Sequence, residues 1–308
     1  MKTINASFRW LTAVVFAATS VVAQGDEKLD LSKPEDAFIV WAKSMCSLDE
    51  SDHVLHWWRG KMFSRVPGEK DRHLFNVQGM NIRNCKFYPE GDRAPGIRST
   101  SREVMLYLDP VTNEVVETWQ NPFTGETVDV VQVANDPVNM RDIFWAKDEA
   151  GNYAGIGMDQ MLMGNRILSG GGAARLFYDN PLAGDYQQYV GGTYHAMEYG
   201  TDSINATEAL DPTTKTVHDV NISWGRISKW LPWMKMGDRD GVVVFHTAGM
   251  RLTSFDQLPD VLRNEIDKNY PIYREPPPTD DARPNETSWT VFKKYLEEKG
   301  HSAEKSSH

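Results

Sequence analysis

Between residues 54 and 133 the sequence alternates with a period of two. Leu55, Trp57, Arg59, Lys61 and Phe63 interleave with His56, Trp58, Gly60, Met62 and Ser64. That period sends successive side chains to opposite faces of an extended strand, and a helix of 3.6 residues per turn does not reproduce it. The same reading predicts strands over 73–82, 103–108, 114–119 and 127–133. Their separators are turn chemistry: Pro67-Gly68, Asp109-Pro110 and Asn121-Pro122-Phe123-Thr124-Gly125. Short strands joined in this way imply antiparallel sheet, not alternating βαβ units. Residues 136–189 break the pattern with Asp136-Pro137, Gly155, Gly157, Gly164, the run Gly170-Gly171-Gly172, and Met158, Met161 and Met163. Strands return over 190–199, 217–224 and 241–251.

A helix is expected near each end. Ser32 can cap the first, with Pro34 in its first turn and Phe38, Trp41 and Met45 on one face. Around 255–269 Pro259 forbids a single helix and predicts two short helical pieces, the second starting at that proline. A last helix over 285–298 carries Trp289, Phe292, Tyr295 and Leu296 on one side, and residues 299–308 read as a disordered tail. No linker divides the chain, so residues 24–298 are expected to form one mainly β (β-rich α+β) domain. A closed antiparallel β-barrel of calycin or lipocalin type, with N-terminal and C-terminal helices, removes the exposed edges that so many short strands create. A two-sheet β-sandwich is the alternative.

The first 23 residues read as an address. Lys2 and Arg9 precede an almost wholly apolar run from Trp10 to Val22, and Val21-Val22-Ala23 ends it in a small-x-small pattern. A secretory signal peptide is expected, cleaved after about Ala23, and with it an exported, periplasmic or secreted protein without stable membrane insertion. Its removal takes the formal charge from -10 to -12, because residues 1–23 hold two basic residues and no acidic one. Such an acid excess argues against a nucleic-acid partner. The two cysteines, Cys46 and Cys85, form either one disulfide or two buried thiols. A bridge would close a loop of about 40 residues and stabilise by about 3–4 kcal/mol.

No cofactor or metal site is expected. The eight histidines include no HxH, HxxxH or HExxH spacing. Gly155-Ile156-Gly157 lacks its third glycine, and Gly170-Gly171-Gly172-Ala173 lacks the Lys-Ser/Thr pair of a phosphate loop, so both read as turns or a lid. There is no G-x-S-x-G elbow. Polar residues on otherwise apolar strands remain: His195, His246, Tyr107 and Arg59 serve as acid, base and oxyanion partner if their faces line a cavity, and as hydrogen-bonded core residues if they do not. Residues 224–238 hold Trp224, Trp230, Trp233, Met234 and Met236. Such a segment suits either the wall of a site for a bulky ligand or a core plug. On the first reading Trp57, Tyr194, Trp224, Trp230, Trp233 and Met234 touch the ligand.

Several segments resemble the bacterial family called domain of unknown function 1838. They are Trp57-Trp58-Arg59-Gly60, Gly79-Met80-Asn81, Asn121-Pro122-Phe123-Thr124-Gly125-Glu126, Ala134-Asn135-Asp136-Pro137-Val138, Leu231-Pro232-Trp233-Met234-Lys235-Met236-Gly237 and Pro284-Asn285-Glu286-Thr287-Ser288-Trp289. The resemblance implies a single domain and no known catalytic residues. The function expected from the residues is binding of a small hydrophobic or aromatic molecule in a barrel cavity and its cofactor-free acid–base transformation, as a lyase or isomerase. A non-catalytic carrier is one alternative, and a protein-interaction module docking through the Trp-rich loop is another.

Overall fold

The computed structural model describes residues 27–88, 96–144, 159–178 and 193–299. The expected signal peptide, residues 300–308 of the expected tail, Gly155, Gly157 and Met158 lie outside them. Ten strands form one antiparallel sheet: β1 (His53–Arg65), β2 (Arg72–Tyr88), β3 (Gly96–Leu108), β6 (Val133–Asn135), β7 (Met140–Phe144), β8 (Asp159–Met163), β9 (Arg166–Tyr178), β10 (Tyr194–Asn205), β11 (Val220–Ser228) and β12 (Val242–Leu252). A small hairpin of β4 (Thr118–Gln120) and β5 (Thr127–Asp129) stands apart. The order is β6-β3-β2-β1-β12-β11-β10-β9-β8, with β7 also on β3. The chain is therefore mainly β and antiparallel, as its alternation requires. Among the described residues no ladder joins β8 to β6 or β7, and no closed barrel is found.

Two details of the strand reading change. Of residues 114–119 only the end enters a strand, β4, while Val115 makes an isolated bridge to Leu108. Conversely, β7, β8 and β9 occupy stretches of 136–189 where the pattern lapses. The glycine run is no turn: Gly170 pairs with Asp159 and Gly172 with Gly200, inside β9. Ladder hydrogen bonds to both neighbours hold this backbone extended despite its low intrinsic strand preference.

Helices close the curled sheet at two places. Helix α1 (Pro34–Met45) starts with its proline in the first turn, but Ser32 does not cap it; the Ser32 hydroxyl bonds Asp30 instead. Its C-terminal carbonyls are clamped by a buried guanidinium: Arg251 of β12 donates to the carbonyls of Lys43 (3.2 Å) and Ser44 (2.7 Å), where a cation also meets the negative end of the helix. The buried Lys43 ammonium donates in turn to the carbonyls of Ala209 (3.1 Å) and Asp211 (2.7 Å) around the end of the short helix α2 (Ala206–Leu210). Cys46, just past α1, is bonded to Cys85 on β2, so of the two states open to the cysteines the disulfide is realised.

Helix α3 (Asp260–Asn269) follows a one-turn piece at Phe255–Gln257, the division that Pro259 imposes. Leu262 and Ile266 of α3 cover the outer face of β1–β3, where Leu55, Met80, Ile82, Val104 and Leu106 project. That part of the sheet is consequently buried on both sides. Helix α4 (Ser288–Glu298) is capped by Thr287, and Trp289, Phe292 and Leu296 turn into the core. Asparagine and glutamate ahead of it fasten it in place: Asn285 exchanges hydrogen bonds with Asn139 at 2.7 and 2.8 Å, and Glu286 accepts from the Asp136 amide at 2.9 Å. No described helix is long and apolar enough to cross a membrane.

Candidate functional site

The inner faces of β1, β2, β3, β10, β11 and β12, with α1 and the start of α4, enclose a cavity of about 520 Å³. That size suits a small-molecule site. One side of it is aromatic and apolar, with Trp58, Met105, Trp224, Phe245 and Trp289. The indole of Trp58 fits flat against the sheet because its cross-strand partners are Gly79 on β2 and Gly249 on β12. A Cβ on Gly79 would meet the Trp58 ring at 2.5 Å.

The other side carries charge. Arg83 (β2), Glu103 (β3), Glu198 and Asp202 (β10) and Arg226 (β11) all line the cavity. Arg226 donates to Glu198 at 3.1 Å and to the Tyr194 hydroxyl at 3.1 Å. Burial opposes its charge, but Tyr194 and Glu198 hold it firmly protonated. Glu103 is set between two asparagines, opposite Asn81 on β2 and Asn135 on β6, and among the described residues its carboxylate receives only a long 3.5 Å bond from Asn135. Burial and then the Glu198 charge push its carboxyl up to about 7, against the pull of Arg226 and Arg83. Burial also raises Asp202, whose carboxylate accepts from the Ser44 hydroxyl at 3.4 Å. His56, buried beside Arg251, is held well below its ordinary value by burial and by the charges of Arg251 and Arg83, and stays neutral.

Among the described residues, several buried polar atoms of residues lining the cavity have no partner: Trp58 Nε1, Asn81 Oδ1, Arg83 Nε, Asn135 Oδ1, Arg226 Nε and Trp289 Nε1. Buried donors and acceptors are ordinarily satisfied by protein or water. Their clustering around one cavity marks it as a place where solvent or a ligand completes the bonding.

The structure redistributes the residues expected from sequence. Tyr107 and Trp224 line the cavity, and burial raises the Tyr107 phenol far above its ordinary value, so it remains a donor. Tyr194 is buried one step behind, on Arg226. His195, His246 and Arg59 do not join them. All three are exposed, because on β10, β12 and β1 the alternate set faces inward: Tyr194, Ala196 and Glu198; Val243, Phe245 and Thr247; His56, Trp58 and Met62. Trp57 likewise faces outward, against the cluster under α3. Trp230, Trp233 and Met234 are core, packed around Phe75, Tyr107, Trp119 and Phe123 and not on the cavity wall. Asn121 pins that segment by donating to the Met234 carbonyl at 2.8 Å. The rings of Trp230 and Trp233 are buried in this packing.

Sequence reading missed Arg83, Glu103, Glu198 and Arg226. The available signal was a charged residue at the inward register of an apolar strand, as in Arg102-Glu103-Val104-Met105 and Trp224-Gly225-Arg226-Ile227.

The family described as "Protein of unknown function (DUF1838)" matches residues 51–296. The chain belongs to the DUF1838 family. Nothing among curated proteins matches it. In this DUF1838 chain five of the six segments that carry the resemblance meet around the cavity, through Trp58, Asn81, Asn135 and Val138, Leu231, and residues 285–289; residues 121–126 do not line it.

Proposed function

We propose that the curled sheet acts as a barrel-like cup for a bulky, partly aromatic small molecule, and that Glu103 transforms this molecule by acid–base chemistry of the lyase or isomerase type. We further infer that the protein is exported to the periplasm or secreted. The basic start, apolar run and small-x-small ending of residues 1–23 support export, as does a disulfide, which an oxidising compartment favours.

The observation that carries the catalytic reading is Glu103, a carboxyl in a small-molecule cavity, raised to about 7 by burial. A group poised near neutral pH both takes and returns a proton efficiently. In its ionised form Glu103 accepts a proton from a carbon acid of the bound molecule. Negative charge left on the substrate is met by the Arg226 cation, fixed by Glu198 and Tyr194. The neutral Glu103 exchanges its proton with solvent and returns a proton, to a different carbon in an isomerisation or to a departing oxygen in an elimination, and the carboxylate is restored. Tyr107, kept protonated, is a hydrogen-bond donor to that oxygen.

The test is proton exchange. Aromatic carbon acids that raise the melting temperature are incubated with the protein in D2O, and loss of the substrate C–H signal is followed by proton NMR. Wild type is expected to wash deuterium in, and Glu103→Gln to keep the thermal shift while losing the exchange by at least about a hundredfold. Exchange that survives in Glu103→Gln refutes the assignment. A thermal shift without exchange in wild type would make the protein a carrier.

A further inference from the structure

Three buried guanidiniums surround the cavity region, and they differ in what they hold. Arg226 is paired with Glu198 and Tyr194 at 3.1 Å each. Arg251 is spent on backbone carbonyls, those of Lys43 and Ser44 at the end of α1 and that of Val217. Arg83 has neither. Among the described residues it forms no ion pair, its Nε has no acceptor, and its one hydrogen bond is a 3.8 Å contact from Nη1 to the Met45 sulfur, a weak acceptor. A guanidinium fork with no oxygen acceptor is a costly thing to bury and a ready site for an oxyanion.

We propose that Arg83 is the anion anchor of the cavity, so that the ligand is an aromatic or apolar molecule bearing a carboxylate or a similar small oxyanion. The assignment rests on the reading of this cavity as the ligand site and names the chemistry of what enters it. The layout fits a molecule with two unlike ends. Trp58 lies opposite Gly79, four residues along β2 from Arg83, which is about 13 Å at the rise of a strand. A body of two or three rings covers that span, with its anion on Arg83 and its rings between Trp58, Trp224 and Phe245. The neighbouring carboxyls do not pre-empt the site: Glu103 and Asp202 act on Arg83 only through space, and burial favours the neutral form of each.

The test compares two probes with one ring skeleton. 8-Anilinonaphthalene-1-sulfonate carries an oxyanion, and N-phenyl-1-naphthylamine lacks it. Binding is read by probe emission and by quenching of tryptophan fluorescence, with Ile222→Trp as the variant that fills the cavity from its wall. Wild type is expected to bind the sulfonate at least about tenfold more tightly than the neutral amine, and Arg83→Met to erase that preference while leaving the amine within about twofold. Should Arg83→Met not fold, Arg83→Lys serves, with the preference reduced but present; the wild-type comparison stands without any variant. Equal binding of both probes, displaced by Ile222→Trp, overturns the anchor and leaves the cavity reading intact. Failure of either probe to bind, or binding indifferent to Ile222→Trp, overturns the cavity reading together with the anchor.

Discussion

Replacing Glu103 by glutamine should make the protein more stable in a pH-dependent way. The wild-type carboxyl is raised from 4.5 in the unfolded chain to about 7 in the folded one. Between those values the folded state binds more protons than the unfolded state, so stability falls as pH rises. At about 1.4 kcal/mol per pH unit, the ionised form is disfavoured by folding to the extent of about 3 kcal/mol. Below pH 4.5 the acid is neutral in both states and resembles the amide, so wild type and Glu103→Gln differ by a constant. From there the variant gains steadily, and the gap levels off above about pH 7.5, having moved by about 3 kcal/mol in its favour. Urea unfolding at half-unit steps from pH 4.5 to 8.5, with the disulfide intact, measures this directly. The difference between the two proteins is the informative curve, because His56, Lys43 and Asp202 also shift on folding and cancel in it. A gap that is flat with pH, or one that turns in favour of wild type as pH rises, refutes the argument: it would mean that Arg83 and Arg226 stabilise the carboxylate more than burial penalises it.

Gly79→Ala places a methyl group 2.5 Å from the Trp58 ring, and the strained packing should cost about 1–3 kcal/mol in urea unfolding, with altered tryptophan emission as the cavity wall shifts. Cys46→Ser with Cys85→Ser removes a bridge spanning 39 residues and should lower stability by about 3–4 kcal/mol, measured against the oxidised wild type; a loss below 1 kcal/mol would show that Arg251 and the core hold α1 unaided.

How much of this was legible depends on which property each residue reports. The alternation along β1 is a backbone property, and it identified the strand and its two faces correctly. Pro259 is equally local: a ring without an N–H sets the start of α3 whatever surrounds it. Choosing the inner face is not local. On β10 hydropathy favours Met197 and Tyr199 with His195 as the buried set, yet Tyr194, Ala196 and Glu198 face inward. A cavity with a charged wall inverts the usual signal, because Glu198 is compensated by Arg226 from β11, which no pattern within β10 can announce. Gly170 to Gly172 misled for a related reason: the strand there is held by partners, not by its own composition. For Glu103, the strand was foreseen, but its role depends on Asn81, Asn135, Glu198 and Arg226 from four other strands. The Trp-rich segment read equally well as wall or plug, and only packing on Phe75 and Phe123 decides for the plug.

The place of β1 in the sheet has a consequence for how the molecule is made. β1 lies between β2, its neighbour in sequence, and β12, which pairs Leu55 with Leu252 and Arg65 with Val242. The middle of the sheet is thus a seam between segments that leave the ribosome far apart in time. The hairpins on either side can form early from local contacts, but the cavity and the Arg251 clamp on α1 wait for β12. Closing so long a loop is entropically slow, which places this chain among the late and slow folders. Until the seam closes, β1 and β12 each present an unpaired edge, the kind of surface on which a chaperone would act during synthesis.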